Sequence, residues 1–178
     1  MQRFSVWFRV MGMAGLIVAL ASACKKTTAA PPPPPSAPQI HGLPTQAQPK
    51  LPTTKLWVGT EELIAELAIT DLQQHTGMMF RTNMAENEAM LFVSPVPDRK
   101  SFWMMNTFVP LSAAYIDPEG IILEIHDLQP RDTNSVVSSS DRIQFVLEVN
   151  QGWFQRHSIK TGMLIRAESG PLKQIGRR

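Results

Sequence analysis

The chain has 178 residues, with 17 Lys and Arg, 15 Asp and Glu, 15 prolines and one cysteine. One cysteine rules out an intramolecular disulfide, and the length suits a single core with flanking segments. The net charge of +2 belongs to the N-terminus: removing residues 1–23 takes away Arg3 and Arg9 and no acid, which leaves 15 of the 17 basic groups against 15 acidic ones. Every acidic residue lies from Glu61 onward, so the C-terminal part carries a slight acidic excess. It has no basic stripe of the kind phosphate binding needs, and nucleic acid is not an expected partner.

Arg3 and Arg9 accompany a short apolar run, Val10 to Leu20, which ends in Ala21-Ser22-Ala23-Cys24 and is cut off by Lys25-Lys26. The run is shorter than the roughly 20 apolar residues of a membrane-spanning helix, so residues 1–23 read as a signal peptide. Small residues directly before a cysteine resemble the lipobox of bacterial lipoproteins, with Ala21 standing where leucine is commonest. That resemblance implies cleavage before Cys24, lipid attachment at its thiol, and anchoring that is stable when two or three acyl chains are present. Lys25, in place of an aspartate that would resemble an inner-membrane retention signal, implies a cell-envelope protein on the outer membrane, facing the periplasm. Residues 24–54 then form a proline-rich, disordered linker that includes Pro31 to Pro35, Pro38, Pro44, Pro49 and Pro52. As polyproline II such a spacer reaches at most roughly 90 Å.

Residues 55–172 are one domain's worth of chain. Lys55 to Gly59 and Leu63 to Ile69 read as strands. Thr70 as N-cap, Asp71 in the first turn and Gly77 as a stop bracket a short helix. Ala89 to Val93, Ser101 to Met105 and Leu111 to Asp117 are short, rich in aromatic or branched residues, and bounded by turn formers, which predicts three strands. Asp117-Pro118-Glu119-Gly120 predicts a tight turn leading into a return strand from Ile121 to Leu128, since proline suits the second turn position and glycine supplies a positive φ. Arg131 to Asp141 is a polar loop, Arg142 to Val149 a strand, Trp153 to Ser158 a helical turn and Gly162 to Ala167 the last strand. The expected fold is mainly β (α+β): a compact antiparallel, barrel-like sheet with one or two short helices. From Ser169 the tail looks loosely ordered, with residues 173–178 flexible.

The domain resembles the family called domain of unknown function 192. The resemblance rests on Gly77-Met78-Met79-Phe80-Arg81, Met90-Leu91-Phe92-Val93, Phe102 to Pro110, and Val146-Leu147-Glu148-Val149 with Gly152 and then Ile159 to Gly162. It spans Leu56 to Ile165 and implies a compact β-rich, barrel-like domain with little helix and no settled activity. Four positions depart from the family pattern: Met105 replaces a usual lysine, Ser112 a usual aspartate, Ala89 a common glycine, and Met163 a frequent aspartate.

No catalytic set stands out. His41, His75, His126 and His157 are far apart and none has a partner at metal-ligand spacing, so neither a metal nor a cofactor is expected. Met78, Met79, Met84, Met90, Met104 and Met105 suit an adaptable core better than a thioether copper site. The candidate ligand-binding residues are Arg81, Trp103, Asn106, Thr107 and Pro110, where a guanidinium, an amide and a hydroxyl could converge beside an aromatic wall. Against this, Asn and Thr in a turn commonly hydrogen-bond their own backbone. The chain therefore reads as an envelope lipoprotein whose partners are a membrane, through the anchor, and a small ligand or envelope component. The alternative is a hydrolase or lyase using Arg81, Asn106 and a carboxylate such as Asp117 or Glu148.

Overall fold

The computed structural model describes residues 42–175, so the expected signal peptide, Cys24 and the linker before Gly42 lie outside it. β1 (Thr53–Val58) and β2 (Glu61–Ala68) form a hairpin in which Val58 faces Glu61. α1 (Asp71–Thr76) follows. Thr70 Oγ1 accepts a hydrogen bond from Gln73 N while Gln73 Oε1 accepts one from Thr70 N, a reciprocal cap that satisfies two orphan donors. Gly77, at φ 46°, ends the helix and donates its N–H to Gln73 O.

β3 (Glu88–Asp98) then runs parallel to β2, with Ala65 beside Ala89 and Ala68 beside Phe92. This corrects the expectation of a wholly antiparallel sheet. The connection, residues 69–87, contains α1 and is long enough for the crossover that a parallel pair requires. β4 (Ser101–Phe102) is a two-residue piece paired with β7 (Val136–Val137) inside the expected polar loop. The strand predicted through Met105 stops there because residues 104–107 turn, with Thr107 N donating to Met104 O and Asn106 at φ 55°. β5 (Leu111–Ile116) and β6 (Ile122–Leu128) form the predicted hairpin, and β8 (Ile143–Asn150) pairs with both β5 and β3. α2 (Trp153–Arg156), β9 (Ile165–Ala167) and β10 (Gly170–Pro171) complete the chain.

The large sheet has the order β10-β9-β1-β2-β3-β8-β5-β6 and is open, which corrects the barrel-like expectation. The segments before β6 and β9 meet at one bridge, Ile121 to Leu164, where Ile165 N donates to Gly120 O, Ile122 N to Met163 O and Gly162 N to Ile122 O. The bridge grows no further into a ladder, and β9 itself has only three residues.

Two cores cover the two faces. One gathers Leu56, Leu63, Leu91, Phe145, Leu147, Val149 and Trp153; the other gathers Met78, Met90, Phe92, Met104, Tyr115 and Val146. The tail is less loose than expected, because Leu172 is fully buried in the first core at the start of a short 3-10 turn. The described end of the expected linker is also packed against the domain. Gln48 Nε2 donates to Gln73 O and Gly77 O, and Leu51 N donates to Glu66. Among the described residues, no helix is long and apolar enough to cross a membrane.

Gly120 is the most crowded of the described glycines. It has φ +91°, and a Cβ there would lie 2.8 Å from Ile165 O, where the segments before β6 and β9 meet. Gly162 has a similar φ, +86°, with nothing within 4 Å of a built Cβ. Gly120→Ala is therefore expected to cost about 2–3 kcal/mol in urea unfolding and Gly162→Ala about 1 kcal/mol. Equal losses would remove the steric part of this account.

Candidate functional site

A cavity of about 410 Å³ opens between α1, the middle of β3, the 99–103 segment and β8. α1 and its exit contribute Asp71, His75, Gly77 and Met78; β3 contributes Phe92 and Ser94; Arg99, Lys100, Phe102, Trp103 and Thr107 form the opposite wall. The floor is Val146 and Glu148. Phe102 meets Phe92 edge to face at 4.8 Å and Tyr115 at 5.9 Å, so this wall is held rigidly.

Glu148 reaches the floor because strand residues alternate between faces. Leu147 and Val149 enter the first core, which leaves Val146 and Glu148 on the second face. There Glu148 lies between Met90 on β3 and Ala113 on β5 and is only 4% exposed. Among the described residues its carboxyl has no ion pair, and burial alone pushes its pKa up to about 8. A carboxyl taken from water without a partner stays protonated near neutral pH. His75, in the last turn of α1, adds a second unpaired group. Its Nε2 is buried and has no hydrogen-bond partner among the described residues. Lys100, at the mouth, has its pKa drawn down, first by burial, with Asp98 pulling the other way.

The structure divides the five ligand-binding candidates. Trp103 and Thr107 line this cavity, whereas Arg81, Asn106 and Pro110 do not. The Arg81 guanidinium grips Glu66 through both nitrogens, at 2.5 and 2.8 Å, with the two side chains 14% and 9% exposed. Burial works to raise the Glu66 pKa, but the Arg81 hydrogen bonds and the Leu51 N–H outweigh it and hold the carboxyl below its usual range. Arg81 is thus a clamp that joins β2, the segment after α1 and the chain before β1. Asn106 acts through its backbone, at φ 55°, where its carbonyl accepts from Phe80 N at 2.8 Å. Asparagine tolerates that conformation better than most residues. Thr107 Oγ1 donates to Met105 O, the local self-bonding that a turn favours. Pro110 is exposed and its carbonyl accepts from Gln151 N.

The hydrolase constellation is not assembled. Arg81 faces a separate hollow with Lys50 and Glu88, and Asp117 Oδ1 is taken up by Glu119 N and Ile121 N in its own turn. Met78, Met90 and Met104 belong to the second core and Met84 packs against it, as an adaptable-core role predicts. His75 and Lys100 were not among the sequence candidates, and Glu148 was considered only as a catalytic carboxylate. One signal was present: Glu148 is an ionisable residue inside the otherwise apolar run Phe145 to Val149.

The chain matches the family DUF192, described as an "Uncharacterized ACR", over residues 54–167. It belongs to that family. Two solved structures share the DUF192 fold seen here. A candidate transcription regulator from Sinorhizobium meliloti is 26% identical, with a TM-score of 0.65 over 68% of this chain and 98% of the other. A protein of unknown function from Novosphingobium aromaticivorans is 30% identical, with a TM-score of 0.63 over 74% of this chain and 94% of the other. No curated protein matches the chain.

The Glu148 carboxyl in the DUF192 cavity makes stability depend on pH. Its folded pKa is raised, so between about 4.5 and about 8 the folded state holds more protons than the unfolded one and stability falls as pH rises. Glu66, with its lowered pKa, contributes stability that is lost only as pH falls below the usual carboxylate range, outside that window. Wild-type Tm is expected to drop between pH 5.5 and 8, and Glu148→Gln is expected to flatten that drop and raise Tm at pH 8. Parallel pH profiles for the two proteins would show that Glu148 has a partner.

Proposed function

We propose that this DUF192 domain is a non-enzymatic module that binds a small ligand in the cavity of His75, Trp103, Thr107 and Glu148. The observation that carries this reading is one cavity with an aromatic wall that holds, among the described residues, both a buried carboxyl with no ion pair, Glu148, and the buried, unpartnered Nε2 of His75. Buried polar groups in native proteins are nearly always hydrogen-bonded. Unsatisfied groups on a cavity wall cost stability, and function is the common reason to keep them. Of the residues chosen from sequence, Trp103 and Thr107 support this site, while Arg81 supports the fold. The Sinorhizobium neighbour's designation would suggest nucleic acid, but the acidic balance of this domain opposes it.

Thermal-shift screening against metabolites, glycans and peptidoglycan fragments is expected to find a class that raises the Tm of the wild type and raises that of Glu148→Gln much less, because a ligand of the native state stabilises it. A shift of equal size in both proteins would reject this cavity, and a screen with no shift at all would reject the binding reading.

The second element of the proposal is the anchor. The apolar run, the Ala21-Ser22-Ala23-Cys24 junction and the proline-rich segment after it support removal of residues 1–23, lipidation of Cys24 and tethering at the outer membrane, facing the periplasm. Mass spectrometry of the mature protein should find acylated Cys24 at the N-terminus, and Cys24→Ser should leave an unprocessed or released chain. An unmodified Cys24 or a retained 1–23 segment would refute the anchor.

A further inference from the structure

We propose that the cavity takes a small zwitterion with an apolar body, an amino acid in the simplest case, its ammonium group seated on Glu148 and His75 and its carboxylate at the mouth beside Lys100 and Arg99. The inference rests on the ligand-binding reading above and adds the chemical class.

The argument starts from the polarity of the cavity. Among the described residues, Glu148, 4% exposed and without an ion pair, sits beside Met90 at one end of the β3–β8 pairing, and His75, whose buried Nε2 has no hydrogen-bond partner, lines the same cavity. An ionised carboxylate accepts only, and neutral imidazole has one accepting nitrogen. The ionised Glu148 carboxylate therefore asks for donors, and an ammonium brings three, while His75 lines the same cavity with its Nε2 unpartnered among the described residues. Charge-assisted hydrogen bonds of this kind are about twice as strong as neutral ones. The fixed cations are at the other end, where Arg99 is exposed and Lys100 half-buried. Phe92 and Val146, paired between the Met90–Glu148 and Asp98–Ile143 positions, give an apolar body a surface, and Met78 and Trp103 line the same cavity. The remaining charged group on the lining is Asp71, exposed at the mouth on α1; Tyr115, close enough for Glu148 to act on it, is committed to Val136 O through its hydroxyl.

Binding by this route moves a proton. The ligand arrives already protonated, while the buried Glu148 carboxyl of the empty site is largely protonated at pH 7 and must ionise to pair with the ammonium. The released proton goes to solvent, so close to one proton should leave per ligand bound.

The test is titration calorimetry of the purified protein at pH 7, repeated in buffers of different ionisation enthalpy. The probes are the standard apolar amino acids, with phenethylamine as an amine lacking the acid and 3-phenylpropionate as an acid lacking the amine. The expected result is that at least one amino acid binds with release of close to one proton. Glu148→Gln should weaken it more than tenfold and abolish the release, with circular dichroism checking the fold. Lys100→Ala should weaken the amino acid but not phenethylamine. Binding of 3-phenylpropionate in preference to the amines, binding without proton release, or no binding by any amino acid at millimolar concentration would overturn the inference. A cavity ligand from the broader screen that lacks an ammonium group would overturn it too, while leaving the binding reading intact.

Discussion

Side chains on both faces of β3 and β8 are covered, because one core packs Leu91, Leu147 and Val149 while the other packs Met90, Phe92 and Val146. Strands buried on two faces have no solvated side on which to park a charge. An ionisable residue in such a strand must be paired, neutral or exposed through a cavity. Glu148 meets the last two conditions, and much of what is distinctive about the domain follows from its position. Apolar burial at roughly 25 cal/mol per Å² comes from the residues around it, while Glu148 itself subtracts from the total.

The cavity is bounded on one side by α1 and its exit, which are tied to β3 by Gln74 Nε2 donating to Val93 O at 2.8 Å and by Met78 in the second core. Thr70 and Gln73 close the first turn, Gly77 stops the helix, and Gln48 ties down the carbonyls of Gln73 and Gly77. The bidentate Arg81–Glu66 pair fixes the chain just beyond. Two charged side chains that would be costly if separated thus join the segment after α1 to β2, and His75, Gly77 and Met78 line the same cavity as Glu148.

The departures from the family pattern do not fall in the cavity. Ser112 is buried at the end of β5 farthest from the 117–120 turn, where its hydroxyl donates to Asp127 Oδ1 at 2.5 Å and accepts from Gly152 N at 2.8 Å. It joins β5, β6 and the start of α2 and has a structural part. Met105 sits in the tight turn before Thr107, half-buried, and lies outside the cavity lining. The residues proposed to bind ligand are therefore separate from Met105 and Ser112, the two positions at which the resemblance led us to expect a lysine and an aspartate.

Local chemistry was legible wherever a short segment satisfies its own backbone. The turn at Asp117 to Gly120, the cap at Thr70 and the stop at Gly77 each depend on residues within four positions of one another, so the amino-acid sequence alone determined them, as it did family membership through the spacing of its motifs. Long-range choices were not legible. That β2 and β3 pair in parallel, that Leu172 returns to the first core, and that Arg81 is consumed by Glu66 all depend on segments brought together by the crossover. Arg81 looked like a binding residue because a guanidinium advertises recognition, and nothing local reveals that a carboxylate 15 positions earlier will occupy it. The same holds for the site. Glu148 is conspicuous as an acid in an apolar run, but whether it would be paired, exposed or left facing a cavity was decided by the elements that fold over it, since burial is a property of the packed chain and not of the strand.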